Sequence, residues 1–172
     1  LTVGDAPAFT SANAATFTAG TAGSFTFSAS GFPAPTFSTT NSLPAGLTLV
    51  NGVLSGTPTG SGGVTTITVT ASNGVGTAAT QSFSITVNKA PTITTSGNPA
   101  FQVGQSGSFT IQASGYPGAS FSTSDKLPDG VTLSSTGVLS GTPAAGTGGT
   151  YAFTVTASNG VGTAATKGFT LT

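Results

Sequence analysis

The stretch from Gly52 to Thr80 returns almost unchanged between Gly137 and Thr166, and this duplication narrows the possible folds more than any other feature of the chain. Each copy opens with Gly-Val-Leu-Ser-Gly-Thr-Pro (Gly52–Pro58, Gly137–Pro143), crosses a Gly-rich gap and closes with Asn-Gly-Val-Gly-Thr-Ala-Ala-Thr (Asn73–Thr80, Asn159–Thr166). Phe25 recurs as Phe109 and Phe37 as Phe121, an offset of 84, which grows to 85 at Gly52/Gly137 and to 86 at Asn73/Asn159. The one-residue steps fall in turns, where insertions are tolerated best. Such a period is too long for a solenoid repeat that needs neighbours to fold, and suits a module with its own core. Length alone leaves 172 residues compatible with one domain or two. The repeat divides them into residues 1–88 and 89–172.

Within repeat one, apolar residues alternate with Ser and Thr. Ser24–Ser30 puts Phe25, Phe27 and Ala29 on one face, Thr66–Ser72 puts Ile67, Val69 and Ala71 there, and Ala79–Val87 adds Phe83, Ile85 and Val87. A period of two is that of a strand with one wet side. Ala6–Phe9 and Thr16–Thr18 read as an initial edge strand broken in the middle, because Pro7 cannot donate to a ladder. Thr36–Thr40 reads as a strand carrying Phe37. Leu43-Pro44-Ala45-Gly46 reads as a tight turn, with Pro setting φ and Gly supplying φ > 0. Leu47–Leu49 and Val53–Ser55 form a hairpin across Asn51-Gly52, a strong hairpin signal. Repeat two keeps an apolar residue at each inward position: Phe109, Ile111 and Ala113, then Tyr151, Phe153, Val155 and Ala157, then Phe169 and Leu171. No helical period of 3.6 residues occurs. About seven short strands per repeat, with turn signals every 8 to 12 residues or so, imply an all-β chain of two tandem immunoglobulin-like antiparallel β-sandwich domains, without the Cys pair or the Trp of antibody domains.

Asn88-Lys89-Ala90-Pro91 is left between the repeats, and Pro removes freedom where Gly and Ser would add it, so a short stiff linker is expected. In this topology the start of a domain shares one end with the loop after its second strand and the loop before its last. Tyr116, Pro117 and Val161 are therefore expected to face repeat one. Phe32, Pro33 and Val75 are expected on the free end, where a preceding module would dock. Leu1 and Thr172 read as cut points within a longer protein.

Disordered chains stay open because charge and low hydrophobicity leave too little apolar surface to offset chain entropy. Here charged residues are only 3% and Phe numbers 12, which points to a folded, Phe-centred core. Three Lys (Lys89, Lys126, Lys167) against three Asp (Asp5, Asp125, Asp129) give a formal net charge of zero, so neither nucleic acid nor an anionic membrane surface is an expected partner. With so few titrating groups, stability is expected to change little with salt or between about pH 4 and pH 9. Absence of Cys leaves the redox compartment unread. No apolar run approaches a membrane span, so no membrane insertion is expected. The hydroxyl-rich, nearly uncharged composition reads as extracellular.

Leu43-Pro44-Ala45-Gly46-Leu47-Thr48-Leu49, Gly52–Pro58 and Thr68–Gly74, with their counterparts Leu127–Leu133, Gly137–Pro143 and Thr154–Gly160, resemble the putative-Ig repeats of bacterial surface and secreted proteins. That family is similar to the dystroglycan-type cadherin-like domains, and the resemblance covers essentially the whole chain twice. It implies modular repeats in large extracellular proteins, serving as spacers, stalks or adhesive arrays, and it carries over no catalytic residues. Cadherin-like relatives often bind calcium between domains through clustered carboxylates, which are missing here.

Without His, Cys, Glu or Arg, the chain lacks the parts of general acid/base pairs, nucleophile–base dyads and nitrogen or sulfur metal sites, so no enzyme and no cofactor are expected. Calcium takes about 6 to 8 oxygens. Asp125 and Asp129 flank a turn and are the candidates, but repeat one has Asn41 and Ala45 there, and solvated turn carboxylates are the simpler reading. Lys167 replaces Gln81 in a strand, so an exposed Lys is expected rather than an isopeptide crosslink. The Gly-rich turns Gly60–Gly63 and Gly146–Gly149 open no helix and read as strand connections, not phosphate cradles. Phe32, Pro33, Tyr116 and Pro117 are the ligand or junction candidates: a junction between stacked modules is preferred over a platform for sugar rings. The expected role is a non-catalytic spacer pair whose partners are neighbouring repeat domains. Binding of glycans or cell-surface components, and self-assembly into a filament or layer, stand as alternatives.

Overall fold

The computed structural model describes residues 3–172 and divides into two compact units, Leu1–Asn88 and Lys89–Thr172. In the first, alternation of Phe, Val and Ile with Thr and Ser produces β1 (Asp5–Phe9), β2 (Ala14–Thr18), β3 (Gly23–Thr26), β4 (Ala29–Phe32), β5 (Thr36–Ser38), β6 (Leu47–Val50), β7 (Val53–Gly56), β8 (Gly63–Ser72) and β9 (Ala79–Ile93). One sheet has the order β3-β7-β6 and the other β2-β9-β8-β5, with β1 and β4 as a separate pair. In the second unit the end of β9 pairs with β11 (Ala113–Tyr116), one sheet is β10 (Gly107–Thr110), β14 (Val138–Gly141) and β13 (Val131–Leu133), and the other is β12 (Ser120–Ser122), β15 (Tyr151–Ser158) and β16 (Ala165–Leu171).

The alternating faces close on two separate interiors. Phe17, Phe27, Leu47, Leu54, Ile67, Val69, Phe83, Ile85 and Val87 fill the first, and Ile111, Val131, Leu139, Phe153, Val155, Phe169 and Leu171 the second. Among the described residues, no polar or charged residue is buried. Burial of this kind, at roughly 25 cal/mol per Å² of apolar area, is the driving force left to a chain without disulfides.

Three local expectations change in the structure, and a fourth gains detail. The broken first strand does more than break: β1 runs antiparallel to β4, while β2 crosses to the other sheet and runs parallel to β9, the one parallel pair among the described strands. Ser24–Ser30 keeps its alternation but divides its partners, β3 taking β7 and β4 taking β1, with the Phe27 N–H between them bonded to the Gly52 carbonyl. In the turn into β6, the Leu47 N–H donates to the Pro44 carbonyl, so Pro44 is the first residue and Gly46 (φ 88°) the third. Pro therefore does not set a central φ as expected. The short stiff linker expected at Asn88–Pro91 is built as strand. It lies inside β9, where Asn88 pairs with Thr18 of the first unit and Lys89 with Tyr116 of the second.

The recurrent motif glycines have a steric cause. A Cβ on Gly46 would collide with the Thr57 carbonyl, and one on Gly56 with the Gly46 carbonyl; Gly130 and Gly141 stand in the same relation to Thr142 and to each other. The turn entering the third strand of this sheet and the end of its neighbour thus touch backbone to backbone, a contact only Gly permits. The hairpin between them is a two-residue loop in unit one, with Asn51 (φ 49°) and Gly52 (φ 76°) in the left-handed region that this loop requires. In unit two the inserted residue makes a three-residue loop. The Gly137 N–H closes a turn on Ser134, and Gly137 (φ 89°) forms the bulge.

Candidate functional site

Each unit gathers three segments at one end. In unit one these are the start of β1, the loop after β4 and the loop between β8 and β9. Asn73 ties them: its Nδ2 donates to the carbonyls of Asp5 (2.7 Å) and Pro33 (2.9 Å), and its Oδ1 accepts the Val75 N–H (3.0 Å). Asn159 repeats all three bonds in unit two, to Lys89 (2.8 Å), Pro117 (2.8 Å) and Val161 (3.1 Å). The two donors and one acceptor of a single amide thus bond three main-chain groups, one from each segment. The return of these asparagines at the same module position is the sequence signal for this role.

On this frame sit the loop candidates. Phe32 ends β4 opposite Asp5, precedes a cis peptide to Pro33, and is 53% exposed. Tyr116 ends β11 opposite Lys89, precedes a cis peptide to Pro117, and is half-buried. Pro33 and Pro117 are both exposed, and Val75 is half-buried close to Gly4.

The second feature is an open groove on the side of each unit where both sheets present their last strand. In unit two it has a volume of about 640 Å³ and is lined by Phe121, Leu127, Val131 and Leu133, with Asp125 and Asp129 on its rim. Its counterpart in unit one, of about 480 Å³, uses Phe37, Leu43, Leu47 and Leu49, with Asn41 and Ala45 at the two acidic positions. The structure gives Asp125 a task beyond solvation: its Oδ2 accepts the Thr154 N–H at 2.6 Å. Asn41 does the same for Thr68 at 2.8 Å. Since β5 and β12 are only three residues long, these side chains satisfy ladder groups that the short edge strand does not reach, which also blunts the edge against a foreign strand. Asp129 has no comparable bond, and among the described residues no group of three His, Cys, Asp or Glu comes together. Calcium takes about 6 to 8 oxygens, of which these two carboxylates would offer at most four.

Lys167 is not the exposed side chain expected. It is half-buried, its Nζ donates to the Thr95 carbonyl at 2.5 Å and lies 5.7 Å from the Phe169 ring. Gln81, at the same position in unit one, likewise donates to the Ser11 carbonyl. Lys167 thus carries a main-chain contact, and its partner is no Asn side chain. Gly60–Gly63 and Gly146–Gly149 join β7 to β8 and β14 to β15.

Comparison with known proteins addresses the fold. A family model described as Putative Ig domain matches residues 6–88 and again residues 90–172. No curated protein matches. Among solved structures, Sidekick-1 immunoglobulin domains 1–4 is similar at TM-score 0.63 and 17% identity, over 98% of this chain and 48% of that one. The N-terminal four Ig domains of Dscam1 isoform 9.44 match at 0.62 and 18%, over 99% and 46%. The titin Ig tandem A164–A165 matches at 0.59 and 16%, over 99% and 97%. The chain spans about half the length of the first two, and identities this low speak for the fold alone.

Proposed function

The chain belongs to the Putative Ig domain family, and from that membership we propose that it is a non-catalytic spacer pair within an extracellular modular repeat protein, with neighbouring repeats of that protein as its partners. The observation that carries this reading is β9, one strand that closes the first sandwich and opens the second. Modules joined in this way can be strung in series, each copy needing only its own Phe-lined interior. Side-chain chemistry supports the same reading: with three Asp, three Lys and no His or Cys, the polar groups at the module end are committed to main-chain bonds, not arranged around a substrate. Among the described residues, no helix is long and apolar enough to cross a membrane.

A second reading has one observation in its favour. Phe32, 53% exposed beside Pro33, is the kind of flat apolar surface on which a sugar ring stacks. A glycan array probed with the wild-type chain and with Phe32→Ala separates the two. The spacer reading expects no retained glycan, whereas a signal lost on Phe32→Ala would reassign this end as a carbohydrate platform. Filament or layer formation through sheet edges is disfavoured by the capped edges at Asn41 and Asp125, and a monomer in sedimentation is the expected result.

A further inference from the structure

We propose that Asn51-Gly52 is a site of spontaneous deamidation, and that the fold confines this modification to the first repeat. The sequence contains three Asn-Gly dipeptides, at Asn51, Asn73 and Asn159. By local sequence all three are equally prone, because a following Gly leaves its amide nitrogen unshielded. The reaction is an intramolecular acyl transfer. Solvent base takes the proton from the Gly nitrogen, that nitrogen bonds to the Asn Cγ, the Cγ–Nδ2 bond breaks and ammonia leaves. Water then adds to one of the two imide carbonyls, giving Asp or isoaspartate, with no oxidant, metal or other protein group required.

The structure separates the three sites by what holds the amide. For ring closure the side chain must swing its Cγ onto the following nitrogen. At Asn73 and Asn159 that swing breaks three hydrogen bonds and strands two carbonyls and an N–H at the module end, so reaction waits on local opening. Asn51 is exposed, its amide has no hydrogen-bond partner among the described residues, and it stands at the tip of the β6–β7 hairpin. The Gly52 N–H likewise has no partner. Gly52 is itself buried, and the Phe37 ring stands where a Cβ on it would point. In repeat two the corresponding loop reads Ser134-Ser135-Thr136-Gly137 and offers no amide to lose. One event takes the formal net charge from zero to minus one, since three Lys would then face four carboxylates. Asp-Gly suits the same two-residue turn, whereas isoaspartate lengthens the backbone there.

The test is ageing of the intact folded chain at mildly alkaline pH, followed by isoelectric focusing and peptide mapping, with a parallel sample in denaturant. The expected result is a single acidic species mapped to Asn51, with Asn73 and Asn159 reacting on the order of 10- to 100-fold more slowly while folded and all three at similar rates when unfolded. Acidic species arising first or equally at Asn73 or Asn159 in the folded chain would overturn the proposal. So would a folded chain whose Asn51 stays intact while the denatured sample reacts. Asn51→Ser should abolish the early acidic species; an unchanged rate of its appearance also counts against the assignment.

Discussion

The two units solve one packing problem in opposite ways. In the first, Phe83 on β9 lies against Phe27 (centroids 4.7 Å apart) and Phe25 (4.8 Å), and the facing position on β8 is Ile67. In the second, the place of Phe27 is taken by Ile111 and that of Ile67 by Phe153, which stacks on Phe169 at 5.8 Å. All of these side chains except Phe25 are buried, at 3% exposure or less. The aromatic ring has moved from the segment between the third and fourth strands to the strand that faces the last one, while the total volume has been kept. A core sums the space filled across its layers and is indifferent to which strand supplies it, provided the rotamers fit.

This comparison sets the order of tests. Truncating the shared ring should be the largest effect: Phe83→Ala is expected to cost about 3–5 kcal/mol. Phe169→Ala should sit at the lower end of that range, because its nearest rings are farther away, at 5.8 and 6.2 Å. Urea unfolding resolved by unit would show it, and equal losses would say that ring proximity contributes little. Next comes the exchange itself. Phe27→Ile and Ile67→Phe should each destabilise unit one by about 1–3 kcal/mol, through a void and through overpacking, while the double variant returns to within about 1 kcal/mol of wild type. Strictly additive losses in that cycle would remove the idea of a swapped pair.

A smaller effect is expected where the units agree. Asn73→Ala and Asn159→Ala should each cost about 1–3 kcal/mol by leaving main-chain groups unpaired, with faster amide exchange at Val75 or Val161. Smallest of all is Asp125→Asn, expected within about 0.5 kcal/mol of wild type because Asn41 already does that work in unit one, against about 1 kcal/mol for Asp125→Ala. A large loss for Asp125→Asn would instead indicate a role for its charge.

The first strand shows how far such agreement extends. Ala14–Thr18 forms a five-residue parallel ladder with β9, whereas the matching 98–102 stretch, with Pro99 in place of Ala15, forms no strand and makes two main-chain bonds to Thr172. Pro99 has no N–H to give. That difference was legible in the sequence at a single residue, but its meaning depended on knowing that this strand joins the far sheet.

Much of the fold was legible in this way, because burial on one face of a strand forces a period of two, and Phe25, Ile67, Val69, Phe83 and their counterparts display it without interruption. The Asn51-Gly52 hairpin was legible because so few residues tolerate its backbone. The candidate site was much less so. The roles of Asn73, Asn159, Asn41 and Asp125 lie in bonds to main-chain groups as many as 70 positions distant in sequence, and such groups leave no trace in the residue types that surround them. Lys167 was misread for the same reason: its surroundings are set by Thr95 and Phe169, not by its own strand.

By itself the sequence determined that two sandwiches form and which side chains line them, since these follow from periodicity and repetition along the chain. Only the tertiary structure decided that the first strand divides between two sheets, that the linker Asn88–Pro91 is built as strand, and which of three identical Asn-Gly pairs is left unheld. Each of those depends on which backbone groups find partners across the fold, and hydrogen-bond partners are chosen by proximity in space, which local residue identity does not encode.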